Sequence, residues 1–100
     1  MKELKLILNG NHTFSIAGFS RSTMIQDGKL VSNAYVGLKD PAAADVERLR
    51  ALAAYAITAL TITADNEPVY ELEELTAKIT SIEESIGDEG MMRVYFNIAF

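Results

Sequence analysis

The apolar positions along this chain follow two different periods. Over residues 3–38 and 92–100, apolar and polar side chains mostly alternate, which is typical of β-strands with one buried face. Over residues 41–56, apolar side chains instead recur at steps of three and four, which places them on one face of an α-helix. The chain therefore combines one helical segment with several strands.

The helix has a recognisable beginning and an apolar face. Asp40 is a residue type that caps helix N-termini, and Pro41 is tolerated at the first helical position because its missing N–H would be unpaired there. We predict a helix over about residues 41–55, with Leu49 and Leu52 in the core. Its apolar face consists of Val46, Leu49, Leu52, Ala53 and Ala56.

The first strands predict two hairpins. A two-residue loop at Asn9-Gly10 would set Leu6 opposite Thr13, whereas a three-residue loop over residues 9–11 sets Leu6 opposite Phe14. Burial favours the three-residue loop, with Asn11 in the left-handed conformation, because a slip of one residue moves every side chain to the other face. Residues 18–22 interrupt the pattern, and Asp27-Gly28 then predicts a two-residue turn.

The second half predicts more strands, with one ambiguity. Residues 57–64 are rich in β-branched side chains, and residues 65–68 form a turn cluster. Residues 72–86 fit a heptad-like helix, but their Thr and Ser content favours a strand over about residues 77–86. This strand would pair with a final strand over residues 92–98.

Together these elements predict an α+β fold. One principal helix, at about residues 41–55, packs on a mostly antiparallel sheet of hairpins, and residues 1–100 form one domain. Apolar residues make up 49% of the chain, which is typical of a folded protein.

Charge and composition narrow the classes of partner. Residues 1–39 contain five Lys or Arg and two Asp or Glu, a net charge of +3, whereas residues 65–90 contain one Lys and nine Asp or Glu, a net charge of −8. A total of −5 disfavours sequence-independent nucleic-acid binding. The sequence has no cysteine, no secretory signal pattern and no apolar run that could cross a membrane. We therefore expect a cytoplasmic protein without nucleic-acid or membrane partners.

The sequence contains no recognisable catalytic or ligand-binding motif. His12 is the only histidine, and no acid or nucleophile motif accompanies it. Zinc, calcium and phosphate-binding spacings are absent from the sequence. We expect no enzymatic activity, no cofactor and no bound metal.

The final strand offers a candidate interface. One of its faces is apolar and belongs on the core, whereas the opposite face carries Arg93, Tyr95 and Asn97. Arg and Tyr are enriched at protein interfaces. If this strand lies at a sheet edge, its open backbone groups invite pairing with a second copy, so we predict a homo-oligomer.

Two stretches carry a resemblance to a known class of proteins. The first runs from Ser32-Asn33-Ala34 through the helix to residue 60, and the second covers residues 69–72 and 77–84. Together they resemble small proteins encoded in phage and prophage regions of Gram-positive bacteria. The resemblance implies a non-enzymatic structural or assembly accessory protein, associated with virions and with other phage structural proteins. The alternative is a small acidic regulatory protein, similar to an inhibitor, that binds a basic partner.

Overall fold

The computed structural model describes residues 2–100 and shows one short helix against seven strands. The predicted α+β class is wrong, because a ten-residue helix accompanies a single seven-stranded antiparallel sheet and the fold is essentially all-β. The elements are β1 (Leu4–Leu8), β2 (His12–Gln26), β3 (Lys29–Leu38), α1 (Ala43–Leu52), β4 (Leu60–Ala64), β5 (Glu67–Leu72), β6 (Lys78–Ile86) and β7 (Met92–Ala99).

The helix is shorter than predicted and begins later. Asp40 has φ +46°, a left-handed conformation, so it cannot serve as the N-cap, and Ala42 occupies that position. The Asp45 carboxylate instead accepts a hydrogen bond from the Ala42 N–H at 2.9 Å. The prediction that Leu49 and Leu52 are core residues is confirmed, because both are buried.

Tight turns fix the register of the hairpins. The three-residue loop between β1 and β2 is confirmed, since Leu6 lies opposite Phe14. The left-handed residues of this loop are Asn9 and Gly10, however, and not Asn11. Asp27 and Gly28 both have positive φ and connect Gln26 to Lys29, as a type I′ turn requires.

Strand β2 is longer than the sequence pattern indicated. The predicted break over residues 18–22 is wrong, because β2 continues through it with an irregularity between Ile16 and Gly18. A bulge of this kind shifts which side chains face the core without ending the strand. In contrast, β4 begins three residues later than predicted, and Ile57 forms an isolated bridge with Ala77.

The sheet curves around one apolar core. Its strand order is β5-β4-β1-β2-β3-β7-β6, and the predicted strand near residues 77–86 is confirmed as β6, paired with β7. The bridge between Ile57 and Ala77 joins the segment before β4 to the segment before β6, so the two sides of the sheet meet there. The concave face consequently encloses a buried cluster that α1 covers with Val46, Leu49 and Leu52.

Candidate interaction surfaces

Two stacked tyrosines lie on the convex face of the sheet. The rings of Tyr35 on β3 and Tyr95 on β7 have centroids 5.4 Å apart and an angle of 12° between their planes. Tyr35 is 45% exposed, and Tyr95 is half-buried. Partial desolvation and the nearby Glu83 carboxylate raise the pKa of Tyr35 above its ordinary value, so the phenol stays neutral at physiological pH.

A glycine allows this tyrosine stack to lie flat on the sheet. A Cβ atom at Gly37, which pairs with Tyr95 across β3 and β7, would approach the Tyr95 ring to 3.1 Å. Small residues on β2, including Ala17, Gly18 and Ser20, leave a shallow depression of about 410 Å³ beside the rings. We call this surface, formed by Tyr35, Tyr95 and the flanking Arg93 and Asn97, the tyrosine patch.

The backbone of β7 is not open to a partner. This strand lies between β3 and β6 and pairs with both, so the predicted route through an open edge of β7 does not exist. The flanking polar groups are also engaged within the chain. Arg93 donates to Glu89 at 3.3 Å, and Asn97 donates to Ser81 at 2.8 Å. The interface of Arg93, Tyr95 and Asn97 therefore stays a prediction, and it could act only through its side chains.

The sequence prediction missed the most exposed apolar surface, which lies at the tip of the β2–β3 hairpin. Beyond the point where β1 and β7 stop pairing with it, this hairpin continues as a two-stranded ribbon over residues 23–32, which we call the arm. Met24, Ile25 and Leu30 on the arm are 57%, 75% and 76% exposed. The sequence indicated this surface by two adjacent apolar residues on each side of Asp27-Gly28, namely Met24-Ile25 and Leu30-Val31. Because neighbouring residues of a strand point to opposite faces, such dipeptides make both faces of the hairpin apolar.

The arm differs from the two edges of the sheet. The edge strand β5 carries Pro68 and a bulge, and the edge strand β6 carries Glu83 and Glu84. Proline, bulges and charges are the devices that keep edge strands from pairing with other chains. The free edge of β2 along the arm has no proline and no charged residue, so it lacks this protection.

An open groove lies beside the base of the arm, on the concave side of the sheet. Its volume is about 680 Å³, and it is lined mainly by Leu4, Phe19, Arg21, Ile62, Val69 and Tyr70. Arg21 holds the walls together, because its guanidinium donates to the Tyr70 hydroxyl at 3.0 Å and lies 4.3 Å from the centre of the Phe100 ring. We call this site the groove.

From the sequence we predicted neither a catalytic role for His12 nor a bound metal. His12 is half-buried beside Arg48 and Tyr55, at a small cavity of about 150 Å³. Among residues 2–100, no three His, Cys, Asp or Glu side chains converge as metal ligands would. Within the same residues, the single helix is too short to cross a membrane.

The acidic residues of β5 and β6 are largely solvated. Of the nine acids in residues 65–90, two form ion pairs within the described part of the chain, Glu84 with Arg50 and Glu89 with Arg93. The others, including Glu67 and Glu71, are exposed. This acidic segment, residues 65–90, therefore presents a negative field to any partner.

Comparison with other proteins assigns the chain to no family. It matches no known protein-family model and no curated protein. The resemblance to phage and prophage proteins therefore stays a prediction.

Proposed function

We propose that this protein is a non-enzymatic interaction module that assembles with copies of itself. The observation that carries this proposal is the arm, which exposes Met24, Ile25 and Leu30 to solvent. A two-stranded ribbon without a third strand or a packed face is marginally stable in water. A contiguous apolar surface on an otherwise charged protein is the usual feature of a protein–protein contact. A second copy that covered the arm would supply the missing packing.

The first test is the mass of the protein in solution as a function of concentration. Light scattering after size-exclusion chromatography should show a mass that rises above one chain of 11.0 kDa between low and high micromolar concentration. The double variant Ile25→Thr/Leu30→Thr should shift this rise to at least tenfold higher concentration, because it removes apolar surface while keeping β-branched residues in the strands. A wild-type mass of one chain at every concentration would refute self-assembly.

The tyrosine patch is the second surface through which assembly could proceed. The variant Tyr35→Glu places a charge on the exposed member of the tyrosine pair, where an interface would have to bury it. If the arm carries the assembly, this variant should assemble like the wild type. Assembly that survives the arm variant but disappears with Tyr35→Glu would assign the interface to the tyrosine patch instead.

We further propose that the assembled protein is a structural or assembly accessory component of a phage or prophage particle. Its support is the resemblance of residues 30–100 to such proteins, and it rests on the self-assembly proposed above. Mass spectrometry of particles purified after prophage induction should detect the chain in a fixed ratio to the major structural proteins. Its absence from particles and from their assembly intermediates would refute this role.

The alternative function is binding of a basic partner by the acidic segment, residues 65–90. The exposed acids of β5 and β6 favour it. Contacts between such exposed charges weaken as salt screens them, whereas apolar contacts of the arm persist. A pull-down from cell extract followed by washes from 0.05 to 0.5 M salt distinguishes binding through the acidic residues from binding through the apolar arm. Loss of every bound protein across this range would favour the acidic surface.

A further inference from the structure

The β2 strand of the arm has one open edge. Strand β1 pairs with β2 only as far as Ile16, and β3 occupies the other side of β2, so no strand of residues 2–100 covers this edge beyond the bulge. Residues 20–26 along it are all exposed. An exposed edge of this kind is a template on which a further strand can add.

A contact on β3 shows which backbone groups of β2 point out of the open edge. The Ser32 C=O accepts a hydrogen bond from the Phe100 N–H at 3.0 Å, on the β7 side, so the backbone of Ser32 is turned away from β2. Thr23 lies opposite Ser32, and in an antiparallel pair that exchanges no hydrogen bonds both residues are turned outward. The N–H and C=O of Thr23 therefore point out of the open edge. By alternation along the strand, those of Arg21 and Ile25 do the same.

The side chains next to this edge are apolar on both faces of the ribbon. Leu30 lies an even number of residues from Ala34 along β3, and Ala34 belongs to the buried core, so Leu30 and its cross-strand neighbour Ile25 lie on the concave side. Met24 consequently lies on the convex side. Met24, Ile25 and Leu30 are each more than half exposed, so a strand added at this edge would meet apolar groups on either face.

The same edge of a second copy complements the first in an antiparallel arrangement. With Met24 at a two-fold axis, Thr23 of each copy lies opposite Ile25 of the other, so the outward N–H and C=O groups of these residues exchange hydrogen bonds in two pairs. Met24 then contacts Met24 of the second copy on the convex side, and the two Ile25 side chains are diagonal neighbours on the concave side. Arg21 lies opposite Asp27 of the second copy, so like charges do not meet.

Other registers of the two strands satisfy fewer groups. A shift of one residue sets the outward backbone groups of one strand against inward-turned residues of the other, which removes the hydrogen bonds. A shift of two residues towards the body of the protein sets Met24 opposite Ser22 and Ile25 opposite Arg21, which replaces apolar neighbours by polar ones. A shift of two residues towards the turn leaves only the two Ile25 residues to exchange hydrogen bonds within the strands. The register with Met24 at the axis therefore combines backbone pairing with apolar contact.

We propose that two copies of this protein pair antiparallel along the open edge of β2, with Met24 at the two-fold axis, so that the two arms form one four-stranded sheet. This inference rests on the proposed self-assembly and specifies its contact. A two-stranded ribbon is marginally stable in water, whereas three or more strands with an apolar face are stable. The contact uses the same surface on both copies, and the edges at β5 and β6 carry proline, a bulge or charges, so assembly ends at two copies.

Opposite charges introduced at Met24 test this axis. Met24→Lys alone sets two like charges directly opposite each other, so it should stay a monomer at concentrations at least tenfold above those at which the wild type dimerises, and Met24→Glu alone should do the same. An equimolar mixture of the two variants should form a dimer with one chain of each, visible by native mass spectrometry. The matched controls Asn33→Lys and Asn33→Glu add the same charges at an exposed convex position on β3, away from the edge, and should each dimerise within about threefold of the wild-type concentration. Far-UV circular dichroism checks that each variant is folded.

Disulfide cross-linking is a second measurement, and it decides the question if the charged variants unfold. The sequence has no cysteine, so Met24→Cys can form a disulfide only between copies. Residues opposite each other in a non-hydrogen-bonded antiparallel pair have Cα atoms about 4.5 Å apart, which is within the range that a disulfide spans. Mild oxidation should therefore cross-link most of the Met24→Cys protein. The control Ser22→Cys lies on the same face of β2 but opposite Gln26 of the second copy, so it should stay largely uncross-linked.

Three results would overturn this pairing while leaving self-assembly in place. The first is a folded Met24→Lys variant that assembles like the wild type. The second is cross-linking of Ser22→Cys that equals or exceeds that of Met24→Cys. The third is a wild-type mass that grows beyond two chains with concentration. A wild-type protein that is monomeric throughout would instead refute both the pairing and the proposed function.

Discussion

Asn9 joins the turn after β1 to the segment between α1 and β4, and its substitution should destabilise the fold. Its side-chain Oδ1 accepts hydrogen bonds from the Thr58 N–H at 2.8 Å and from the Thr58 hydroxyl at 3.1 Å. Its Nδ2 donates to the Ala56 carbonyl at 3.2 Å. The backbone of Asn9 has φ +54°, a conformation that Asn tolerates better than most residues. One side chain thus satisfies backbone groups about fifty residues away in sequence.

The cost of removing this side chain follows from two contributions. Each hydrogen bond to a solvent-accessible backbone group contributes a net of about 0.5–1.5 kcal/mol, so two of them contribute about 1–3 kcal/mol. Placing Ala in the left-handed conformation adds about 1 kcal/mol. We expect Asn9→Ala to lower the free energy of unfolding by about 2–4 kcal/mol. Asn9→Gly removes the same hydrogen bonds without the steric cost, so it should be less destabilising than Asn9→Ala.

Urea titration followed by circular dichroism measures these differences. With a slope of about 1.5 kcal/mol per molar, a loss of about 3 kcal/mol lowers the midpoint by about 2 M. The matched control is Asn11→Ala in the same loop, where φ is not positive, and it should change stability by less than about 0.5 kcal/mol. A loss below about 0.5 kcal/mol for Asn9→Ala, or equal losses at both positions, would refute the role assigned to Asn9.

Three further substitutions test the core, the helix start and the tyrosine patch. Leu49→Ala should lower the free energy of unfolding, measured by urea titration, by about 2–5 kcal/mol because Leu49 is fully buried. The control Ala51→Ser, on the exposed face of the helix, should lower it by less than about 0.5 kcal/mol. A similarly small loss for both variants would contradict the packing of α1. The hydrogen bond from the Ala42 N–H, and then the one from Arg48, hold the pKa of Asp45 below its ordinary value of 3.8. Asp45 therefore stabilises the fold above pH 4, and this contribution is lost as the pH falls through the lower pKa of the folded state. Asp45→Asn should therefore cost about 0.5–1 kcal/mol at pH 7 and progressively less in urea titrations below pH 4, and a cost that is constant with pH would contradict the assignment. Gly37→Ala should displace the Tyr95 ring and change the near-UV circular dichroism of the tyrosines with the far-UV spectrum unchanged, and an unaltered near-UV spectrum would contradict the contact.

Local patterns in the sequence predicted the strands and most turns. Alternation identified the buried row of β7, and burial of Leu6 against Phe14 selected the correct loop length after β1. Asp27-Gly28 determines its turn because both residues accept positive φ. These features depend on neighbouring residues alone, which is why they can be inferred from one sequence.

The predictions that were wrong concern features that depend on contacts between distant residues. Asp40 is a good N-cap by type, but the connection from β3 holds it in a left-handed conformation. The predicted fold class was wrong because the helix is short and all seven strands belong to one sheet. Local sequence patterns do not indicate how many strands share a sheet. The position of β7 between β3 and β6 is likewise a property of strand order, and it closed the edge that the predicted interface of Arg93, Tyr95 and Asn97 would have used.

The separation of the arm from the core has a consequence for how this protein can change over evolution. The strand residues of 23–32 pair only with each other, so inserting or deleting two residues on each strand would change the reach of the ribbon while keeping every side chain on its face. Such changes leave the buried cluster untouched. The length of the arm can therefore change in steps of about 7 Å, which is the rise of two strand residues, without a compensating mutation in the rest of the protein.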